Sequence, residues 1–216
     1  MNRDISHLRE NYGFGTLERD MLQEHPIKQF SEWFQAALDF GVMEPNAFVL
    51  STIDPDEPTL PDSRVVLMKE IKSDGLVFYS NYESHKGRSI EKNPYVSINF
   101  LWLAMERQVR IRGRVEKLDR SESEKYFRSR PLSSQIGAWA SRQSSVLSDR
   151  QPLEDAYAMY EAKFSSVEQV PMPDFWGGYH VIASEFEFWQ GRESRLHDRF
   201  RYQKLVDSWL ITRLSP

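Results

Sequence analysis

The stretch Gln108-Val109-Arg110-Ile111-Arg112-Gly113-Arg114-Val115 alternates without a break. Gln108, Arg110, Arg112 and Arg114 fall on one face of an extended chain, and Val109, Ile111 and Val115 fall on the other. That is the pattern of a half-buried strand in an antiparallel sheet. Taken singly, each Arg here reads most simply as a solvated residue or a charge that blunts a sheet edge.

Similar short runs lie upstream: Phe48 to Ile53, Arg64 to Lys69, Leu76 to Ser80 and Tyr95 to Trp102. Turn signals such as Asp54-Pro55 and Asp74-Gly75 separate them, so with Gln108 to Leu118 they predict five consecutive strands, an antiparallel sheet or barrel. Before them, Ile27, Phe30, Trp33, Phe34, Ala37 and Leu38 recur at helical spacing, predicting a helix over Pro26–Phe40 that Gly41 stops. Ser84 to Asn93 reads as a short helix ended by Pro94. Ser121-Glu-Ser-Glu124 reads as a capping box opening a helix that stops before Pro131. Gln151 to Phe164 is a further helix, Pro171-Met-Pro173 a rigid connection, and strands return at Tyr179 to Trp189 and Ser208 to Leu214. With no repeat and no clear linker, residues 1–216 read as one α+β domain.

Composition limits the chemistry. The 216 residues carry 28 Lys and Arg against 32 Asp and Glu, a net charge of −4, which argues against a general nucleic-acid binder. Cys is absent, which excludes disulfides, thiolate metal sites and Cys nucleophiles, so any redox chemistry needs a bound cofactor. Five His lack ligand spacing, so no metal site is expected, and neither a P-loop, GxGxxG nor G-x-S-x-G occurs. The apolar runs Ala47 to Leu50 and Val65 to Met68 fall far short of the roughly 20 residues of a membrane span. The first residues have no apolar core, so a cytoplasmic protein is expected.

Four segments carry candidate chemistry. Ser84, His85 and Lys86 stand where a strand gives way to a helix start, a place suited to a phosphate, although a capped surface helix explains the same letters. Arg64 and Lys69 bracket an apolar strand with opposite parity. The stretch Phe127 to Ser145 packs hydroxyls, amides and three Arg around Leu132, Ile136 and Trp139, which suits an oxygen-rich ligand or a polar surface loop. In Glu187 to Arg199, Trp189 ends a strand. Arg195, His197 and Arg199 are expected to alternate on one face of a following extended piece, with Leu196 and Asp198 opposed, which suits an anionic, planar ligand.

These residues resemble the pyridoxine (pyridoxamine) 5′-phosphate oxidase family. The matches are His7-Leu-Arg-Glu-Asn-Tyr12, Arg64-Val-Val-Leu-Met-Lys69, Glu106-Arg-Gln-Val-Arg110, Ser129-Arg-Pro, Ser134-Gln-Ile-Gly-Ala-Trp139, Ser141-Arg-Gln-Ser144, Trp176-Gly-Gly178, Phe186 to Arg199 and Arg213-Leu-Ser-Pro216. The resemblance implies an FMN-binding split β-barrel, antiparallel and Greek-key-like with flanking helices. It implies a homodimer with FMN at the subunit interface, and a mobile N-terminal segment, residues 1–25, that closes over the substrate.

By that similarity Arg64, Ser84, His85 and Lys86 hold the FMN phosphate, while Val65, Val66, Leu67, Met68, Lys69, Tyr79, Ser80 and Gln108 line the flavin. Gln143, Ser144, Trp189 and Arg199 would reach it from the partner chain. Lys69, Tyr126, Arg130 and Ser134 would grip the substrate phosphate. Arg195, Leu196 and His197 would sit against the pyridine ring, Arg195 and His197 as the catalytic pair, with Arg9 and Tyr12 closing over it. The implied reaction oxidises pyridoxine 5′-phosphate or pyridoxamine 5′-phosphate at C4′ to pyridoxal 5′-phosphate, with dioxygen as acceptor and hydrogen peroxide as product. One departure stands out: His85 occupies the place where the family usually has Arg, giving one donor instead of a bidentate cation. FMN is therefore expected to bind more tightly at acidic pH. Two other readings are an oxidase of another reduced aromatic, such as a phenazine precursor, and a non-catalytic flavin or pyridoxal-phosphate carrier.

Overall fold

A computed structural model describes residues 3–8 and 10–216. Eight strands form one antiparallel sheet: β1 (Ala47–Ile53), β2 (Pro61–Lys72), β3 (Gly75–Asn81), β4 (Tyr95–Trp102), β5 (Arg107–Lys117), β6 (Trp176–Gln190), β7 (Asp198–Lys204) and β8 (Trp209–Leu214). Their order is β3-β2-β1-β4-β5-β6-β7-β8, and β3 also pairs with β6. That extra pairing closes β1 to β6 into a six-strand barrel, with β7 and β8 continuing outward from β6. Within it, β3-β2-β1-β4 has the order of a Greek key. Closure leaves the barrel strands no free edge.

The alternation in β5 is realised: Val109, Ile111, Gly113 and Val115 are buried, whereas Arg112 and Arg114 are exposed. The Arg residues meet carboxylates as well as water. Arg110 pairs with Glu187 at 3.2 Å and Arg112 with Glu185 at 3.6 Å, both across the β5–β6 ladder. Helix α1 (Pro26–Phe40) starts with His25 Nδ1 accepting from the Ile27 N–H and ends at Gly41, φ 80°. It buries Phe30 against Phe100 and Trp102, and Trp33 against Phe188. The aromatic rings Phe48, Phe78 and Phe100 fill the barrel beneath.

Helix α2 (His85–Lys92) follows β3, and α3 (Arg120–Ser129), α4 (Leu132–Ala140) and α5 (Gln151–Lys163) lie between β5 and β6. The latter three build a second, smaller apolar cluster around Phe127, Phe164, Val170, Met172 and Trp176.

Four expectations change. The α3 cap is Asp119, not Ser121, and no side chain bonds there, so the capping box is not formed. Leu132 to Ala140, read as a polar recognition loop, is a helix whose Gln135 Nε2 donates to the Arg130 carbonyl at 2.8 Å and restrains its entry. The extended piece expected to carry Arg195 and His197 is instead a 3-10 turn, Glu193–Arg195, with φ of 55° at Ser194 and 60° at Arg195. Arg195 and Leu196 therefore precede β7, and the alternation holds only from Asp198 onward. Finally, β6 is longer than expected and begins at Trp176, because Gly177 and Gly178 pair with Ser80 and Tyr79 of β3. No helix among the described residues is long and apolar enough to cross a membrane.

Candidate functional site

A cleft of about 650 Å³ opens on the outside of the barrel, between β2, β3, α3 and α4. Strand alternation brings Val65 and Leu67 of β2 and Tyr79 of β3 to it. Lys69 joins them by the same alternation. Met68 pairs with Phe78 and Glu70 with Val77, so Lys69 is the extra residue of a bulge in β2.

One wall is aromatic. Tyr79 stacks on Tyr126 at 3.9 Å and on Trp176 at 5.5 Å, all three rings within 20° of parallel. Burial pushes the Tyr79 phenol up to about 12, so it stays neutral. Gly178 makes room for this wall: a Cβ there would lie 2.5 Å from Leu118 Cδ1 and 2.8 Å from Tyr79 Cε1. Arg130, just after α3, lies over the Trp176 ring at 4.7 Å, and its Nη1 is buried without a hydrogen-bond partner. Arg130 lines the cleft together with Lys69 and Ser134, a donor set that suits an anion.

A second cationic group lies where β3 passes into α2. Ser84 is the helix cap: its Oγ accepts from the Gly87 N–H at 3.2 Å and donates to the Asn81 carbonyl at 2.7 Å. Lys86 Nζ donates to Ser80 Oγ at 3.1 Å, Ser84 Oγ at 3.2 Å and Gln143 Oε1 at 2.8 Å. Lys86 is only 8% exposed, and burial, reinforced by the Arg64 charge, lowers its ammonium to about 8. Arg64 donates to Thr52 Oγ1 at 2.8 Å and pairs with Asp62. The His85 ring lies between two carboxylates, Nδ1 at 3.0 Å from Asp62 and Nε2 at 3.1 Å from Asp54. Its backbone N–H donates to Ser144 Oγ at 3.1 Å, a contact made with Ser144 at φ 72°. Gln143 and Ser144, expected from a partner chain, thus stand against Lys86 and His85 of their own chain.

Trp189, Arg195, Leu196, His197 and Arg199 line no part of this cleft. The register row Val65, Val49, Asn99, Arg110, Glu187 crosses four strand spacings. At about 4.8 Å each, Glu187 is roughly 19 Å from the cleft wall along the sheet, and Trp189 lies two residues beyond it. Gln108, expected among the cleft residues, pairs with Trp189 at this far end.

Here the His197 ring lies 4.6 Å from Trp189 and 5.5 Å from Tyr12, and Tyr12 also meets Trp189 edge-on at 5.8 Å. Burial, then the Arg195 charge, lowers the His197 pKa, favouring the neutral ring. Its Nδ1 accepts from the Arg192 N–H at 3.1 Å, so the neutral ring carries its hydrogen on Nε2. Arg199 is tied to Glu187 at 2.8 Å and to the Ser215 carbonyl at 2.8 Å. The Phe14 N–H donates to Glu106 and the Leu17 N–H to Asp198, which hold the N-terminal segment over this end. Arg9 lies outside the described residues.

Each chain therefore carries two separate groups of candidate residues, a cleft with cations and a ring cluster that lines no part of it. Comparison with known proteins gives this arrangement a context. Residues 34–164 match the sequence profile of pyridoxamine 5′-phosphate oxidase, and residues 176–216 match that of the pyridoxine 5′-phosphate oxidase C-terminal dimerisation region. The chain belongs to the pyridoxamine 5′-phosphate oxidase family. It is 51% identical over 215 residues to the pyridoxine/pyridoxamine 5′-phosphate oxidase of Rippkaea orientalis, covering 99% of this chain and 100% of that one. Among solved structures, PhzG from Burkholderia lata, in complex with tetrahydrophenazine-1-carboxylic acid, superposes with a TM-score of 0.84 at 30% identity, over 93% of this chain and 98% of that one. An FMN-binding protein related to pyridoxamine 5′-phosphate oxidase, from Nostoc punctiforme, shares the fold with a TM-score of 0.69 at 13% identity, over 90% and 100%.

Several cleft residues carried no role in the sequence: Asn81, Pro131, Gly137, Ala138, Ser141 and Trp176. Trp176-Gly-Gly178 gave the one available signal, since paired glycines in a strand mark a close approach of neighbouring groups. Asp54 and Asp62, the partners of His85, had none.

Proposed function

We propose that the chain is an FMN-dependent oxidase that converts pyridoxine 5′-phosphate or pyridoxamine 5′-phosphate to pyridoxal 5′-phosphate, with dioxygen as acceptor. Hydrogen peroxide is released, with ammonia from the amine. The full-length likeness to pyridoxine/pyridoxamine 5′-phosphate oxidases at 51% identity carries this reading. The donor set fits the ligands: Lys69, Arg130 and Ser134 around one cleft suit a phosphate, and parallel rings suit a flat heterocycle.

FMN, when bound, supplies the two-electron acceptor. Lys86, Ser84 and Arg64 would hold its phosphate, and Val65, Val66, Leu67, Lys69, Tyr79 and Ser80 would line its ring, whereas Met68, expected there too, is buried in the barrel core. Lys69, Tyr126, Arg130 and Ser134 would hold the substrate phosphate. His197, neutral and with its hydrogen on Nε2, would donate to the substrate, and Arg195 would bring charge to the same face. Trp189 and Tyr12 would exclude water above it. The working unit is a homodimer, with the ring cluster of one protomer completing the cleft of its partner.

The likeness to PhzG favours a second reading, an oxidase of a reduced phenazine precursor. The lower identity and the cations of the cleft favour the phosphorylated substrate. Adding pyridoxine 5′-phosphate to the yellow protein without oxygen should bleach the flavin, and air should restore it with release of peroxide. An unchanged flavin spectrum refutes the proposal.

A further inference from the structure

We propose that Asp62 is an internal counter-ion that competes with the cofactor phosphate for Arg64 and His85, and so sets how tightly the chain holds FMN. The inference rests on the reading of the β3–α2 junction as the FMN phosphate site.

Two donors from different elements converge on one atom. Arg64 Nη2 of β2 and His85 Nδ1 of α2 both reach Oδ2 of Asp62. A phosphate oxygen takes donors in the same way, so the carboxylate occupies the place of one.

The two carboxylates around His85 are held differently. Asp54 is fixed in the turn after β1, where its Oδ1 accepts from the Asp56 and Glu57 N–H groups at 2.8 and 2.9 Å. Those bonds keep its carboxyl below the usual range. Asp62 lies on a strand at the rim with its side chain 40% exposed, whereas Arg64 beneath it is 18% exposed. Rotating Asp62 outward exchanges its two donors for water, the cost that a phosphate must meet, and leaves Arg64 and His85 aimed at a common point. Asp54 still holds the imidazole at Nε2.

The charge count points the same way. Arg64 and Lys86 contribute two positive charges and Asp54 and Asp62 two negative ones, so the carboxylates offset the two cations before the imidazole is counted. A dianionic phosphate gains more from this group once Asp62 has left. The position thus tunes affinity without touching the flavin ring.

The test uses the full chain freed of cofactor and titrated with FMN and, separately, with riboflavin, which lacks the phosphate. Binding is read by quenching of flavin fluorescence. Asp62→Asn should tighten FMN binding about tenfold, the scale of one lost charge-assisted competitor. Riboflavin affinity should stay within about twofold of the native chain, which also shows that the flavin pocket is folded. Asp62→Ser should act in the same direction. Unchanged or weaker FMN binding with intact riboflavin binding overturns the proposal, as does equal tightening of both ligands. If the native chain binds riboflavin as tightly as FMN, the phosphate reading falls and takes the proposal with it. A native preference for FMN that Asp62→Asn does not sharpen defeats the role of Asp62 alone.

Discussion

Lys86 is where burial and charge meet most sharply. Its ammonium is desolvated, faces the like charge of Arg64, and titrates at about 8 instead of the ordinary 10.5. Because the folded value lies below the unfolded one, the cost of holding the charged group is borne at neutral pH and fades as pH rises from about 8 toward the unfolded value. The cofactor-free protein should therefore gain stability over that window, checked by urea midpoints at stepped pH. FMN binding should move the opposite way, weakening above about pH 8 as the cation for the phosphate is lost. Lys86→Arg should flatten that dependence, because a guanidinium stays charged.

Other residues show why chemistry is harder to read than pattern. The sequence marks Lys69 as a strand end, whereas β2 runs on through a bulge to Lys72, a continuation that no local signal announces. Arg195 looked extended and lies at positive φ, a conformation set by the turn into β7. His85 reads as a single donor in place of an Arg, and the carboxylates that flank it come from residues more than twenty positions away.

At the scale of elements, α1 and β5 follow from side-chain period, because burial on one face imposes that period directly, and the other strands from their composition and the turn signals between them. Helix α4 did not, since Ser133, Ser134 and Gly137 dilute its apolar stripe, and only Gln135, Ile136 and Ala140 are buried. Glycine positions divide along the same line. At Gly75, in the β3–β6 seam, a Cβ would fall 1.8 Å from the Val181 carbonyl oxygen, whereas at Gly137 inside α4 it would meet nothing within 4 Å. Gly75→Ala should cost about 1–3 kcal/mol by forcing the seam apart. Gly137→Ala should stabilise by about 0.5–1 kcal/mol through helix propensity. Denaturant titration of the two ligand-free variants should give shifts of opposite sign.

For the whole molecule, the cleft and the Trp189–His197 cluster are separate groups of residues in one chain. The proposed dimer makes each site from the cleft of one chain and the cluster of the other, which predicts complementation. Arg130→Ala damages the cleft and Arg195→Ala the cluster, and each homodimer should be nearly inactive. A mixed dimer contains one site with both lesions and one with neither, so it should recover about half the native activity. Differently tagged chains, co-purified and assayed, measure this. Activity no greater than either homodimer would show that each chain completes its own site.

The same separation has a consequence for inheritance. With sites shared as proposed, a single lesion in one chain would spare one site of every dimer it forms with a native chain, and would behave as recessive. A chain carrying both lesions would spoil both sites of such a dimer, so two mutations that are each recessive alone would act dominantly when they share one gene copy.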